Sequence, residues 1–293
     1  MISTYVRRHR LGAELATRRE KAKLSSDQLA RAVRLPRTTI SRLENARMRP
    51  DPDDVMRILE RLGVTGSDWT RLMTIAREAG ERGWWESTAN KMGESQALYA
   101  NLEAGAELIA EYQMALLPGL LQTVSFTEAR ARVDEADWST GFDPAFSVEA
   151  RAGRQRMLHR PGGPTYEVVI DELAVRRSTA PDDVRREQLA HIVELARHDP
   201  KITVRVLPLE ARIDGHTVPR SGFSIYRYPD PDDPVVIAVD TVTDDLVLTD
   251  AAPVSHYEKL YGRLCVAALT PAESITFLAS TADNMTNLTG QAA

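Results

Sequence analysis

The stretch SSDQLARAVRLPRTTISRLENARMRP, residues 25–50, sets apolar residues at sparse helical intervals among hydroxyls and arginines. Ser25 with Gln28 three residues on is a capping box, so a helix opens there and packs through Leu29, Ala30 and Val33. After a short break a second helix begins near Arg37 and turns Ile40 and Leu43 inward. Two short helices joined by a tight turn predict a helix-turn-helix. Arg37, Thr38, Ser41 and Arg42 then project from the outer side of the second helix, near its N-terminus, where side chains reach base edges in the major groove. The expected partner of this face is double-stranded DNA. The bland alternative is a solvated surface helix carrying the same short polar residues.

Working outward, Leu11 and Leu15 mark an earlier helix that Arg19 ends, and Arg47 and Arg49 follow in the loop after residue 45. Arg19, Arg47 and Arg49 are placed for flanking phosphates. A fourth helix opens with Asp51 as cap and Pro52 at its first position, packs Val55, Ile58, Leu59 and Leu62, and stops at Gly63. Ser67 is positioned to cap a fifth, packed by Trp69, Leu72 and Ala76. The expected module is therefore all-α, five helices over residues 8–80.

Charge supports that division. Residues 1–50 hold thirteen Lys/Arg against four Asp/Glu, a surplus of +9, so a chain of net charge −5 carries −14 in the remainder. A basic module for a polyanion attached to an acidic body is expected. A chain of 293 residues is long enough for two domains. No apolar run approaches a membrane span, the start MISTYVRRHRLGAEL lacks an apolar signal core, and the single cysteine, Cys265, excludes a disulfide framework. A cytoplasmic, nucleoid-associated protein without membrane contact is expected.

GERGWWESTANKMG breaks the periodicity and predicts a hinge over 81–95. Beyond it, Leu98, Leu102, Ala106 and Ile109 predict one long helix to about Met114, with further helices after Pro118-Gly119 and over 147–160. YEVVI, ITVRVLP, FSIYRY and VVIAVDTV read as strands, with a helix at 182–198 and two closing helices. The fold class expected is α+β overall, the second domain (96–285) carrying a small sheet.

The first eighty residues resemble the Xre-type, phage-repressor-like helix-turn-helix family through LGAELATRRE, LSSDQLARAV, RTTISRLENARMRP and DPDDVMRILERLGV. The resemblance puts Arg37, Thr38, Ser41 and Arg42 at base contacts, and Ser26, Arg47 and Arg49 at the backbone. Arg34 and Ala46 stand where that family usually has glycine, and a left-handed residue with a Cβ costs about 1 kcal/mol. Pro36 replaces the usual side-chain cap of the reading helix. GWWE, LYANLEAGAELI, LLPGLLQT, RAGRQRML, IDELAVRR, ITVRVLP and PAESITFLAS resemble the second domain of actinobacterial WhiJ-like regulators. That resemblance implies regulation, commonly beside a small BldB-like partner in an antitoxin-like arrangement, and it implies no activity.

Residues with potential chemistry in the second domain are few. His191, Glu194 and His198 share a helix face but lack the spacing of a known zinc helix, and Asp240, Asp244, Asp245 and Asp250 read as an acidic loop region before a hard-cation cluster. Phosphate-binding glycine loops, a metalloprotease helix and a nucleophile elbow are absent, so no enzyme, metal or cofactor is expected. Glu103, Glu107 and Glu111, four apart on the predicted long helix, read as a solvated face, with a basic partner surface as the alternative. Leu120, Leu121 and Gln122 in PGLLQT read as a packed corner or as a groove for a ligand or partner. The function expected is a homodimeric, sequence-specific transcriptional regulator on a pseudo-palindromic operator, with a recognition helix at about 37–45 and a second domain that binds an effector or partner. The alternative is an antitoxin-like protein that sequesters a small partner and binds DNA for autoregulation.

Overall fold

The structure, a computed structural model, describes residues 2–87, 93–137, 144–241 and 245–289. The chain divides into two compact units, Met1–Ser87 with Tyr228–Pro234, and Thr88–Arg227 with Val235–Ala293. Of the hinge expected at 81–95, residues 88–92 lie outside the described residues.

The first unit is built from α1 (Thr4–Lys21), α2 (Ser26–Val33), α3 (Arg37–Glu44), α4 (Pro52–Arg61) and α5 (Gly66–Gly80). Ser3 caps α1 by accepting from the Val6 amide, Ser25 and Gln28 form both halves of the capping box on α2, and Asp51 caps α4 with Pro52 at its first position. α5 begins one residue before the expected Ser67 cap, with Thr65 at its N-cap and no side-chain cap bond. One apolar face of each helix closes a common core that includes Leu11, Leu15, Leu29, Ile40, Leu43, Ile58, Leu59 and Leu72.

At Gly12, α1 comes close to the backbone of α3. A Cβ there would sit 2.5 Å from the Glu44 carbonyl oxygen and 2.7 Å from that of Leu43, so α1 lies directly against the C-terminal turn of α3. Alanine inside a helix ordinarily stabilises over glycine by about 0.5–1 kcal/mol. Here the sign reverses, because the obstacle is backbone. Gly12→Ala is expected to cost about 1–3 kcal/mol in the unfolding transition of the first unit, as overpacking does; a neutral or stabilising result would show that α3 is free to move away.

The second unit is α+β. It contains α6 (Glu94–Glu103), β1 (Leu108–Gln113), α7 (Val124–Asp137), α8 (Pro144–Leu158), β2 (Thr165–Asp171), α9 (Glu172–Arg176), α10 (Asp182–His198), β3 (Ile202–Leu207), β4 (Phe223–Arg227), β5 (Val236–Val239), β6 (Leu246–Leu248), α11 (Ala251–Ala267) and α12 (Pro271–Thr289). Six strands form one mixed sheet in the order β3-β2-β1-β4-β5-β6. β1 pairs parallel with β2, and β2 with β3, while β4, β5 and β6 add antiparallel on the other side of β1. α11 covers the face bearing Ala110, Tyr112, Val169, Phe223 and Ile225, through Val254, Leu260, Tyr261 and Leu264. At the β3 edge the Ser274 hydroxyl accepts from the Val206 amide (2.9 Å) and the Leu269 amide donates to the Val206 carbonyl (2.9 Å), which occupies groups that would otherwise recruit another strand. No single helix among the described residues is long and apolar enough to cross a membrane.

The four predicted strands correspond to β2 to β5, but the long helix expected to reach Met114 is not formed. α6 stops at Glu103, Gly105 takes a left-handed φ of 77°, and Leu108–Gln113 is the central strand. Ile109, Ala110, Glu111 and Tyr112 are all buried, so this strand has no exposed face to supply an alternating pattern, and a continuous apolar run is ambiguous between helix and strand. Glu103, Glu107 and Glu111 therefore do not share a helix face. They end a helix, stand in the loop and lie mid-sheet.

Candidate nucleic-acid interface

α2 and α3 are joined by Arg34, Leu35 and Pro36. Arg34 adopts the left-handed conformation (φ 54°, ψ 44°), and the Leu35 amide returns to the Ala30 carbonyl at 3.0 Å, closing α2 and redirecting the chain. Ala46, after α3, is left-handed as well (φ 56°). Both positions where glycine is the usual choice thus keep the turn geometry with a Cβ. Pro36 precedes α3 without a side-chain cap, and the helix begins at Arg37.

On α3, Ile40 and Leu43 are buried while Arg37, Thr38, Ser41 and Arg42 are exposed. The Arg37 side chain is 71% exposed, with its Nε 3.5 Å from an Asp27 carboxylate oxygen that is itself largely open to solvent. A surface pair of this kind contributes little and yields readily to a phosphate or a base. Asn45 donates its side-chain amide to the Ser41 carbonyl (2.7 Å), securing the last turn of the helix. Ser26 is the first residue of α2 and half-buried.

The thirteen basic residues of positions 1–50 fall into two groups. Arg7 pairs with Glu78 and Asp233 (2.8 Å each) and Arg10 with Asp230, Asp232 (2.9 Å) and Asp233 (3.1 Å), so the YPDPDDP loop between β4 and β5 belongs to the first unit and neutralises α1. Arg8 reaches Glu86 at 3.9 Å, and Arg18 pairs with Glu14 and with Asp68 (3.2 Å). Arg19 ties α1 to α3 by a two-pronged contact with Glu44 (2.6 and 3.1 Å) and donates to the Leu24 carbonyl; Arg49 pairs with Glu86. Apart from the loose Arg37–Asp27 pair, what remains is Lys21, Lys23, Arg31, Arg34, Arg42 and Arg47, all exposed and with no ion-pair partner among the described residues. These six lie between residues 21 and 47. Within residues 1–50, unneutralised positive charge thus falls in the helix-turn-helix and its immediate flanks.

Nothing in the sequence flagged the role of residues 228–234 beyond their complementary charge. Composition counts every arginine equally, whereas the fold withdraws Arg7, Arg10 and Arg19 into structural pairs.

In the second unit Glu103 is 1% exposed and receives Arg154 in a bidentate contact, Nε to both carboxylate oxygens (2.9 and 3.0 Å) and Nη2 to one of them (2.5 Å). Burial opposes the charge on Arg154, but Glu103 more than offsets it and holds the guanidinium above its ordinary pKa. Glu111, 6% exposed, accepts from Tyr166 (2.5 Å) and Gln113 (2.7 Å), and burial still raises its carboxyl above the usual carboxylate range. Glu107 is exposed. In the Pro118 corner, Leu120 and Leu121 are core residues, whereas Gln122 is a bracket: it donates to the Leu117 carbonyl (2.7 Å) and accepts from Arg151.

Gly119, Gln122 and Glu111 also line a cavity of about 110 Å³, with Gln96 and Tyr99 of α6, Gln113 of β1, Leu116, Leu117, Arg151 and Arg154 of α8, Phe223 and Ser224 of β4, Ala238 of β5, and Asp240. Sequence reading singled out the corner and the glutamates but missed Arg151, Arg154 and Ser224. The two arginines, three apart on α8, stand in RAGRQRML, which was read from the sequence only as part of the resemblance.

Among the described residues no group of three or more His, Cys, Asp or Glu is placed to hold a metal ion. His198 turns its Nδ1 to the Glu194 carboxylate (3.1 Å) and main-chain oxygen (3.0 Å) on its own helix. Asp244 of the acidic loop lies outside the described residues. Cys265 packs half-buried against the α11 face of the sheet.

Comparison with known proteins matches two parts of the chain. Residues 10–72 match a helix-turn-helix domain, the segment that contains the α2-turn-α3 geometry and suggests DNA binding. Residues 96–280 match a domain of unknown function, DUF5753, which spans the mixed sheet and its helices. Neither a curated protein nor a solved structure matches the chain. By a match over more than half its length, the chain belongs to the DUF5753 family, with a helix-turn-helix domain ahead of the family domain.

Proposed function

We propose that this protein is a non-enzymatic, sequence-specific transcriptional regulator of the Xre type, acting in the cytoplasm, with α3 in the major groove and the second unit receiving an effector or partner. The observation that carries the reading is a helix whose outer face presents Arg37, Thr38, Ser41 and Arg42, flanked by Lys21, Lys23, Arg31, Arg34 and Arg47, which are exposed and have no ion-pair partner among the described residues. Free cations supply the salt-dependent grip on phosphates, and short polar side chains flanked by arginines supply base readout. A homodimer on a pseudo-palindromic site is part of the proposal, because one reading helix covers only a few base pairs. Kinship with the WhiJ-like group, and a small BldB-like partner, rest on the sequence resemblance.

The test is selection of bound fragments from a random DNA pool with the full chain, followed by affinity measurements across salt. Arg42→Ala is expected to lose about 1–3 kcal/mol on the selected site and relax preference at one base position. Arg47→Ala should weaken specific and non-specific DNA alike and lower the salt slope by about one unit for each phosphate left without its cation. Absence of any selected sequence would overturn the reading. Unaltered preference in Arg42→Ala, with altered preference in Arg47→Ala, would move the readout off α3.

A further inference from the structure

α11 has two faces of opposite character. Val254, Leu260, Tyr261 and Leu264 are buried against the sheet, whereas Lys259, Gly262, Arg263 and Val266 turn to solvent. The loop from β3 to β4 packs beside this helix: Ala211 and Ile213 join the same core, Arg263 donates to the Thr217 hydroxyl (3.2 Å), and Asp214 stands 4.0 Å from the Arg263 Nε. Between helix and loop runs an open groove of about 660 Å³, with Arg212 and Asp214 on one side and Lys259, Gly262, Arg263 and Val266 on the other.

The floor of the groove is apolar and uncovered. Val266 is 87% exposed, and with Val218 (77%) and Leu209 (63%) of the adjoining loop it heads the exposed large hydrophobic side chains among the described residues. Scattered singly, such residues are ordinary; three on one helix and its neighbouring loop mark an interaction surface. Gly262 adds an independent sign. Glycine in the middle of a helix is unfavourable relative to alanine, yet a Cβ there would meet nothing within 4 Å, so no contact inside the chain calls for it. Without a side chain, the position leaves the helix surface open to the backbone of another molecule.

The rim is basic. Arg212 and Lys259 are exposed and have no ion-pair partner among the described residues, and Arg263 has only the loose contact with Asp214, itself 88% exposed. That charge decides among occupants. A second copy docked about a two-fold axis would set Arg212, Lys259 and Arg263 against their own counterparts with only Asp214 to offset them, and like charges oppose association. A nucleic-acid duplex would leave the exposed aliphatic side chains facing phosphates. An acidic helix with an aliphatic stripe satisfies floor and rim together, docking as a helix does in a groove. α11 rises about 10 Å from Lys259 to Val266, so about two turns of such a helix are covered.

We propose that the groove between α11 and the β3–β4 loop binds an acidic, amphipathic helix of a partner protein, its aliphatic side chains over Gly262 and Val266 and its carboxylates on Arg212, Lys259 and Arg263. This names the partner class for the second unit and rests on the reading of that unit as the partner-binding part.

Fluorescence anisotropy with the full chain and three synthetic peptides of about 20 residues tests the inference. One peptide carries leucines along one helical face with glutamates beside them, the second has the same composition with the leucines dispersed, and the third has lysine in place of glutamate. The first is expected to saturate with a Kd of about 0.1 mM, as for a small transient contact, and the other two to bind at least about tenfold more weakly. Lys259→Glu with Arg263→Glu should weaken the acidic peptide about tenfold and strengthen the lysine peptide. Gly262→Leu should move two readouts in opposite directions, raising the melting midpoint through better helix propensity and weakening the peptide by filling the groove. These residues are exposed, so the variants leave the core intact. No saturable binding of the acidic peptide, equal binding of the dispersed isomer, or unchanged affinity in the charge-reversed chain would each overturn the proposal. Loss of self-association in Gly262→Leu, measured by sedimentation, would overturn it in favour of a second copy, and charge reversal that weakens DNA but not the peptide would overturn it in favour of nucleic acid. Selection of DNA by the same preparations, read in parallel, separates failure at this surface from failure of the regulator reading.

Discussion

Arg154→Met should cost the second unit about 3–5 kcal/mol of stability, the largest loss expected from substituting any one polar residue of the sheet domain, because it strands the Glu103 carboxylate in the interior. Glu103 is 1% and Arg154 8% exposed, and the pair is bidentate. The penalty comes from the uncompensated charge and not from removing an especially favourable interaction, since bringing both ions out of water already costs most of what their attraction returns. A second variant decides between these accounts. Glu103→Leu combined with Arg154→Met removes both charges and should recover much of the loss, measured as the midpoint and slope of urea unfolding with the slope unchanged. If the double variant is as unstable as the single one, packing by the long Arg154 stem across Tyr99, whose ring lies 5.1 Å from the guanidinium carbon, is the dominant contribution instead.

That pair also shows where the sequence was legible and where it was not. The helix-turn-helix could be read because its signals are local: Ser25 and Gln28 cap α2, Asp51 and Pro52 start α4, and Ile40 and Leu43 repeat on one face of α3. β2 to β5 announced themselves through β-branched runs bounded by proline, aspartate and glycine. β1 did not, because a strand buried on both faces has no alternation, and its glutamate invited a helical count of four. Glu111 is tolerated mid-sheet only because Tyr166 and Gln113, on β2 and β1, donate to it. Glu103 and Arg154 meet across 51 residues, a separation at which no local pattern operates. The same holds for Arg10 and Asp230 to Asp233, which lie some 220 residues apart in one unit. Which side chains face outward from α3 was thus accessible to periodicity. Which arginines are free to grip a phosphate was a property of the fold.

Ile40→Ala separates holding the reading helix from reading with it. Ile40 is 1% exposed and sits in the core among Leu11, Leu29, Leu43 and Leu59, so truncation removes buried methyl and methylene groups and leaves a cavity. The expected cost is about 2–5 kcal/mol in the unfolding of the first unit. A small unit has little stability to spare, so a loss of that size should bring its melting within reach of growth temperature and abolish DNA binding on warming. At low temperature, where the variant remains folded, affinity and sequence preference should return to nearly wild-type values, because Ile40 faces the core and touches no groove. Arg42→Ala should show the opposite pattern, an unchanged melting transition with a DNA defect at every temperature, since Arg42 is exposed and has no ion-pair partner among the described residues. The discriminating measurement is DNA affinity against temperature for both variants, beside their unfolding curves. An Ile40→Ala protein that is fully folded yet misreads its site would mean that α3 is not held as a rigid element by this core, and that the path from sequence to readout runs through another contact, the Gly12 approach to the end of α3 being the first to examine.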